Sequence, residues 1–120
     1  MNEPELTLVL IGFGNVARRF VKLLGETADR LDFSWKIAGI STRHHGSVVD
    51  PAGVDTRRAI ATVEGRQSLD RLDSSPRERS GIDVIKELFP TPDQYHQVLR
   101  DFARADSYLT SHIDHMWLKL

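Results

Sequence analysis

Two short stretches of this chain carry residues whose types and spacing suit a chemical task. The first is Gly12-Phe13-Gly14-Asn15-Val16-Ala17, which has the pattern G-x-G-x-x-A. The first glycine of such a run permits a tight turn, and the second lets the backbone approach a pyrophosphate. The small third residue lets a helix pack closely on the preceding strand. The first N–H groups of a helix have no partner within it, and the helix dipole adds to their pull on an anion. The second stretch is Ser41-Thr42-Arg43. A site that prefers NAD places Asp or Glu at the corresponding point, to accept hydrogen bonds from a ribose 2′-hydroxyl. A carboxylate would repel a 2′-phosphate, whereas hydroxyls and a guanidinium suit it. The expectation is a pyrophosphate loop made by Gly12, Phe13, Gly14, Asn15, Val16 and Ala17. Arg43 is then the main contact of a 2′-phosphate, with Ser41 and Thr42 assisting. NADP is the expected cofactor, and NAD remains possible. The competing readings are a strand–turn–helix that needs small residues only for packing, and a solvated polar loop with one basic residue.

These stretches need a scaffold. Leu8 to Ile11 is a continuous apolar run led by Leu6 and Thr7, the pattern of a parallel strand covered on both faces. The following helix carries Val16, Phe20, Leu23 and Leu24 on one face, with Arg18, Arg19, Lys22 and Glu26 largely off it. Phe33 to Ser41 reads as a second strand, which completes a right-handed βαβ unit. His44 to Asp55 is rich in turn formers and reads as a loop. Asp55 can N-cap a helix over Thr56 to Val63 that Gly65 would end. Ser68 to Leu72 looks like a helical turn, and Asp73 to Gly81 like a charged surface loop. Ile82 to Leu88 fits either a strand or a short helix by period, and its β-branched content favours a third strand. Thr91-Pro92-Asp93-Gln94 makes a capping box with proline at the first helical position. Tyr95, Val98, Leu99 and Phe102 then form an apolar stripe for the core or a partner. Ser107 to Leu120 is too apolar for a solvated tail and too irregular to assign.

The fold class that follows is α/β, a partial Rossmann-like parallel sheet with flanking helices. Residues 1–92 would form the dinucleotide-binding part, and residues 93–120 a C-terminal helix and apolar tail completing or extending the same domain. So few parallel strands make a poor open sheet. Stability then depends on the tail, on a further segment, or on a homo-oligomer.

The 120 residues make one domain or part of one, and the formal net charge of -1 gives no electrostatic reason to expect nucleic acid or a membrane as partner. There is no cysteine, which excludes disulfides and thiolate metal sites. Met1-Asn2-Glu3-Pro4-Glu5 is acidic where a signal peptide would be basic, and a soluble cytoplasmic protein is the expectation. His44-His45 and His112-Ile113-Asp114-His115 lack a firm third ligand, so no metal is expected. Asp70, Asp73, Asp83 and Glu87 read as solvated charges rather than an acid–base pair.

The first 92 residues resemble the N-terminal cofactor domain of homoserine dehydrogenase. The resemblance rests on three runs. One is Val9-Leu10-Ile11-Gly12-Phe13-Gly14-Asn15-Val16-Ala17 with its following helix, which many dehydrogenases share. The others are more particular: Ile40-Ser41-Thr42-Arg43-His44-His45-Gly46-Ser47, and Asp50-Pro51-Ala52-Gly53-Val54-Asp55 followed by Glu64-Gly65-Arg66-Gln67-Ser68-Leu69. The resemblance implies an NAD(P)-dependent oxidoreductase that interconverts L-homoserine and L-aspartate 4-semialdehyde, on the route from aspartate to threonine and methionine. Family members are considerably longer. They resemble one another in a strand ending in an acidic residue, a Thr-Pro loop, and a strand ending near an Asn-Lys pair at the nicotinamide. Asp83 to Leu88 and Thr91-Pro92 look like a blurred version of the first two, and Ser107 to His112 does not supply the last. Lys22, Lys36, Lys86 and Lys119 stand in none of the matching contexts. No catalytic residue is carried over, and the chain looks like a truncated, frameshifted or degenerate copy lacking the catalytic segment.

Overall fold

The computed structural model describes residues 5–100. Phe102, the apolar tail from Ser107, and the His112/His115 pair lie outside the described residues. Strand β1 (Glu5–Ile11) leads into helix α1 (Asn15–Glu26), then β2 (Ser34–Ser41), β3 (Ser47–Val49), α2 (Thr56–Glu64) and α3 (Gly81–Leu88). A 3₁₀ turn at Leu69–Leu72 follows α2, and residues 92–100 are helical. No described helix is long and apolar enough to cross a membrane.

The sheet is mixed, in the order β1-β2-β3. β1 and β2 run parallel with Ile11 opposite Ser41, and the register steps over Ala38 between Leu8 and Val9. β2 and β3 are antiparallel, with Ser41 opposite Ser47. The expectation of a parallel sheet is therefore corrected. The third strand is Ser47–Val49, inside the stretch read as a loop, because a five-residue turn lets the chain double back. Ile82 to Leu88, expected as a strand, is α3. Its β-branched residues weigh less than its N-terminal chemistry. Ser80 Oγ accepts the Asp83 N–H, and Asp83 Oδ2 accepts the Ser80 N–H, a reciprocal capping box.

Helices cover both faces of the sheet. On one side Ala17 and Val21 of α1, and Ala59, Ile60 and Val63 of α2, pack on Leu10, Ile37, Ile40 and Val48, with Phe13 and Leu69 closing the cluster. Neighbouring strand residues point to opposite faces, so Gly39 looks the other way, onto α3. A Cβ at Gly39 would stand 2.6 Å from Val84 Cγ1 and 2.9 Å from Leu88 Cδ1. The bare backbone there is what lets α3 seat so closely. The fully buried residues of α1 are Ala17 and Val21; of the expected face of Val16, Phe20, Leu23 and Leu24, only Phe20 and Leu24 are half-buried. Val16 and Leu23 remain 44% and 42% exposed. With Leu6, Ile11 and Ile82 they are the exposed large apolar side chains among the described residues. β1 is thus an edge strand, buried mainly at Leu10, rather than a strand covered on both faces.

β3 has its own solution for its free edge. Asp70 Oδ1 accepts the Ser47 N–H at 3.2 Å, and Asp73 Oδ2 accepts the Val49 N–H at 2.9 Å. Two carboxylates three residues apart on the 3₁₀ turn thereby satisfy alternate N–H groups that would otherwise invite another strand. Asp73 is also ion-paired with Arg79 at 2.9 Å, and the side chains of both are 1% exposed. The second partner of Arg79 is Glu87 of α3, at 2.6 Å. The stretch read as a charged surface loop is instead pinned to the domain by its first aspartate and its last arginine. Thr91 and Gln94 do form the expected reciprocal cap. Tyr95, Val98 and Leu99 of the helix they start are half-buried.

Candidate functional site

The two chemistry-bearing stretches meet at the carboxyl ends of β1 and β2. The Gly12 N–H donates to the Ser41 carbonyl at 2.7 Å, so β1 stays tied to β2 one residue past its end. Gly12 has φ of 106°, a conformation that L side chains rarely adopt. The chain then passes Phe13, which is buried, and reaches Gly14 as the N-cap of α1. That helix start has no side-chain cap and no acidic residue in its first turn, which leaves its N–H groups and positive dipole end for an external anion.

Gly14 itself is informative. Its φ and ψ, -80° and -165°, are extended backbone open to any residue. A Cβ placed there would find no atom within 4 Å. Nothing in the chain's own packing calls for glycine at this position. A molecule lying against the backbone would.

One turn into α1, Arg18 fastens the loop. Its Nη1 donates to the Phe13 carbonyl at 2.7 Å and its Nη2 to Asn15 Oδ1 at 2.6 Å. Its Nε stands 3.5 Å from Glu64 Oε2 at the end of α2. That Nε is buried without an aligned hydrogen bond, so the link to Glu64 is Coulombic. Glu64 also lies 3.7 Å from Lys22 Nζ.

The β2–β3 turn is held by Thr42, whose hydroxyl donates to the Gly46 carbonyl and accepts the His45 N–H, both at 2.7 Å. The His45 carbonyl accepts the Leu69 N–H, also at 2.7 Å, which anchors the turn to the 3₁₀ segment. Arg43 is exposed at its tip, with neither a hydrogen bond nor an ion pair among the described residues.

These parts line one open cleft of about 550 Å³, within the size range of small-molecule sites. Gly12, Phe13, Gly14 and Arg18 line it from the first loop, and Thr42 to His45 from the β2–β3 turn. The end of α2 supplies Val63, Glu64 and Arg66. A second cavity, of about 470 Å³, shares Thr42, Arg43 and His44 and extends to Pro76–Arg79. Of the residues singled out in the sequence, Gly12, Phe13, Gly14, Thr42 and Arg43 thus share a wall. Asn15 is engaged by Arg18, Val16 is exposed, and Ala17 is fully buried against the core. Ser41 is buried between its neighbours, with its carbonyl on Gly12. Arg18, His44, His45, Val63, Glu64 and Arg66 were not among the residues expected to bind the cofactor, although His44, His45, Glu64 and Arg66 lie in the runs that carry the family resemblance. Those on α2 carry no spacing signal that would link them to the glycines.

The carboxylates away from the cavity serve the fold. Burial pushes the Asp73 carboxyl up, but the N–H groups of Val49 and Ser75 and the Arg79 guanidinium outweigh it and hold it below 3.8. Arg79 holds Glu87 below 4.5, with Arg77 adding to the effect against the opposing pull of burial. Among the described residues no three His, Asp or Glu side chains cluster as a metal site would.

Among known proteins the chain is similar to the homoserine dehydrogenase of Methanocaldococcus jannaschii. The two are 30% identical over 86 residues, which make up 69% of this chain and 25% of that protein. The relationship is distant, and the chain spans about a quarter of the length of the relative. No family profile matches the chain, and no solved structure does.

Proposed function

We propose that the chain is the NADP(H)-binding part of a homoserine dehydrogenase-like oxidoreductase, built on a partial Rossmann-like domain. The observation that carries this reading is the single cavity lined by both Gly12-Phe13-Gly14 and Thr42-Arg43. Backbone N–H groups at the start of α1 hold the pyrophosphate, and the missing Cβ of Gly14 gives it room. The free guanidinium of Arg43 holds the ribose 2′-phosphate, while Thr42 fixes the turn that presents it. The N–H groups at the start of α1 belong to Asn15, Val16 and Ala17, and Ser41 positions the glycine loop by accepting the Gly12 N–H at its carbonyl. Bound there, the dinucleotide would carry hydride for the interconversion of L-homoserine and L-aspartate 4-semialdehyde, and the chain would supply binding and orientation.

A second reading is favoured by one observation. Among the described residues neither cavity is lined by a lysine, which favours a chain that binds the dinucleotide on its own without performing hydride transfer. Homoserine-dependent formation of NADPH by the purified chain separates the two, since turnover supports the enzyme and binding without turnover supports the module. The cofactor assignment is tested by comparing NADPH and NADH affinity before and after Arg43→Glu. The expected result is a preference for NADPH that the substitution abolishes, by about tenfold or more for a charge-assisted contact. An unchanged ratio would overturn it.

A further inference from the structure

The end of α2 is built in an unusual way. The helix stops at Glu64, and its last carbonyls are taken by a paired arrangement. The Arg66 N–H donates to the Val63 carbonyl at 2.9 Å and the Gln67 N–H to the Thr62 carbonyl at 2.8 Å. This is the Schellman pattern, in which the residue two beyond the last helical one must turn left-handed and is usually glycine. The sequence has a glycine nearby, but one residue too early. Gly65 has φ of -83°, and Arg66 takes the left-handed position with φ of 59°. Arg66 is the one non-glycine residue with positive φ among the described residues. It stands where a bare backbone would be more comfortable.

Arg66 has no structural partner to justify that placement. It is exposed, and its side chain has neither a hydrogen bond nor an ion pair among the described residues. It lines the same cavity as Gly14 and Arg43. Three arginines, Arg18, Arg43 and Arg66, and one acidic residue, Glu64, line that cavity. Arg18 and Lys22 already occupy Glu64. Arg18 is itself spent on the loop. The two unspent cations of the cavity are therefore Arg43 and Arg66, delivered from separate elements. Strained residues that the fold does not need gather at ligand sites.

We infer that Arg66 is a specificity-determining residue of the cofactor site, the second cation of a two-arginine clamp on the phosphate monoester of the adenosine ribose. The inference rests on the dinucleotide reading above and adds a residue from α2 to it. Two guanidinium groups can share a doubly charged phosphate through parallel charge-assisted hydrogen bonds. A ribose 2′-hydroxyl offers them no such charge. Arg66 thus contributes to discrimination against NADH, and α2 becomes part of the cofactor site.

Arg66→Gly separates this role from a structural one, because glycine suits the left-handed position better than arginine does. The variant is expected to unfold at the same or a higher temperature than the parent chain. Its affinity for NADPH and for adenosine 2′,5′-bisphosphate is expected to fall about tenfold, with NADH and 5′-AMP nearly unchanged. Arg66→Lys should recover part of the loss. Inorganic phosphate as competitor distinguishes a site for ribose-borne phosphate from one for any phosphate; displacement at equal concentration would overturn the ribose assignment. If the parent binds NADPH and Arg66→Gly binds it equally well, the inference fails and the dinucleotide reading stands. If the parent binds neither dinucleotide, both fail.

Discussion

Adding one methyl group at Gly14 should disable the site while leaving the fold alone. Gly14 has extended backbone and an empty space around its Cβ direction, so alanine meets no clash and no strain in the ligand-free chain. Alanine restricts the unfolded chain, which stabilises by about 0.4–1 kcal/mol. Alanine is a poorer N-cap than glycine, which costs roughly 0.5–1 kcal/mol. The two effects oppose each other, and Gly14→Ala should change unfolding stability by less than about 0.5 kcal/mol. Binding is another matter, because the methyl occupies the approach of a pyrophosphate to the start of α1. Loss of a charge-assisted contact worth about 2 kcal/mol weakens binding about thirtyfold. The assay is thermal unfolding with and without NADPH at about 100 times the parent's Kd, where the parent gains about 2.7 kcal/mol. At the same concentration Gly14→Ala would gain only about 0.9 kcal/mol. At roughly 4–8 °C per kcal/mol, the nucleotide-induced shift should shrink to about a third of the parent's. A variant that keeps the parent's full shift would show that nothing approaches Gly14, and the reading of the loop would be wrong.

Gly12→Ala should behave in the opposite sense. With φ of 106° at that residue, the substitution should destabilise the chain by about 1–3 kcal/mol in urea unfolding, with or without nucleotide. Arg79→Met should destabilise it by about 3–5 kcal/mol, because it leaves Asp73 buried without its cation. Acid sensitivity follows from the same group of charges. The carboxyls of Asp73 and Glu87 are held below 3.8 and 4.5 in the folded chain. Their contribution is complete above those values and is lost as the pH falls through the lowered ones. Unfolding monitored by circular dichroism should show stability level above about pH 5 and declining below about pH 4. In Arg79→Met, where the folded carboxyls move up from their lowered values, the acid-dependent decline should be smaller.

Local chemistry was legible in the sequence where a residue acts on its own neighbours. Asp55 caps α2 by accepting the Arg58 N–H, and Thr91 and Gln94 cap the helix that follows them, both as their spacing implied. The glycine loop, the helix after it and the second strand also lie where the patterns put them. The misreadings arose where distant segments decide. Ile82 to Leu88 has strand-like composition, but the Ser80–Asp83 box starts a helix and Gly39 offers it a flat seat. Ser47–Val49 doubles back to pair with β2, and Asp70 and Asp73, more than twenty residues on, take up the N–H groups left on its outer edge. Arg79 was indistinguishable from its exposed neighbour Arg77 until Asp73 and Glu87 were placed around it. The same limit applies to the cavity, since Gly14 and Arg43 announced themselves by motif while Arg66 is joined to them only by the packing of α2.

Isothermal titration of the purified chain with NADPH, alongside NADH, tests the central claim most directly, that the glycine loop and the β2–β3 turn form one dinucleotide site. The expected result is saturable binding of one NADPH per chain, tighter than NADH and competed by adenosine 2′,5′-bisphosphate. Absence of binding by a chain that unfolds cooperatively would contradict it, and the cavity between Gly14 and Arg43 would then be a feature of the fold alone.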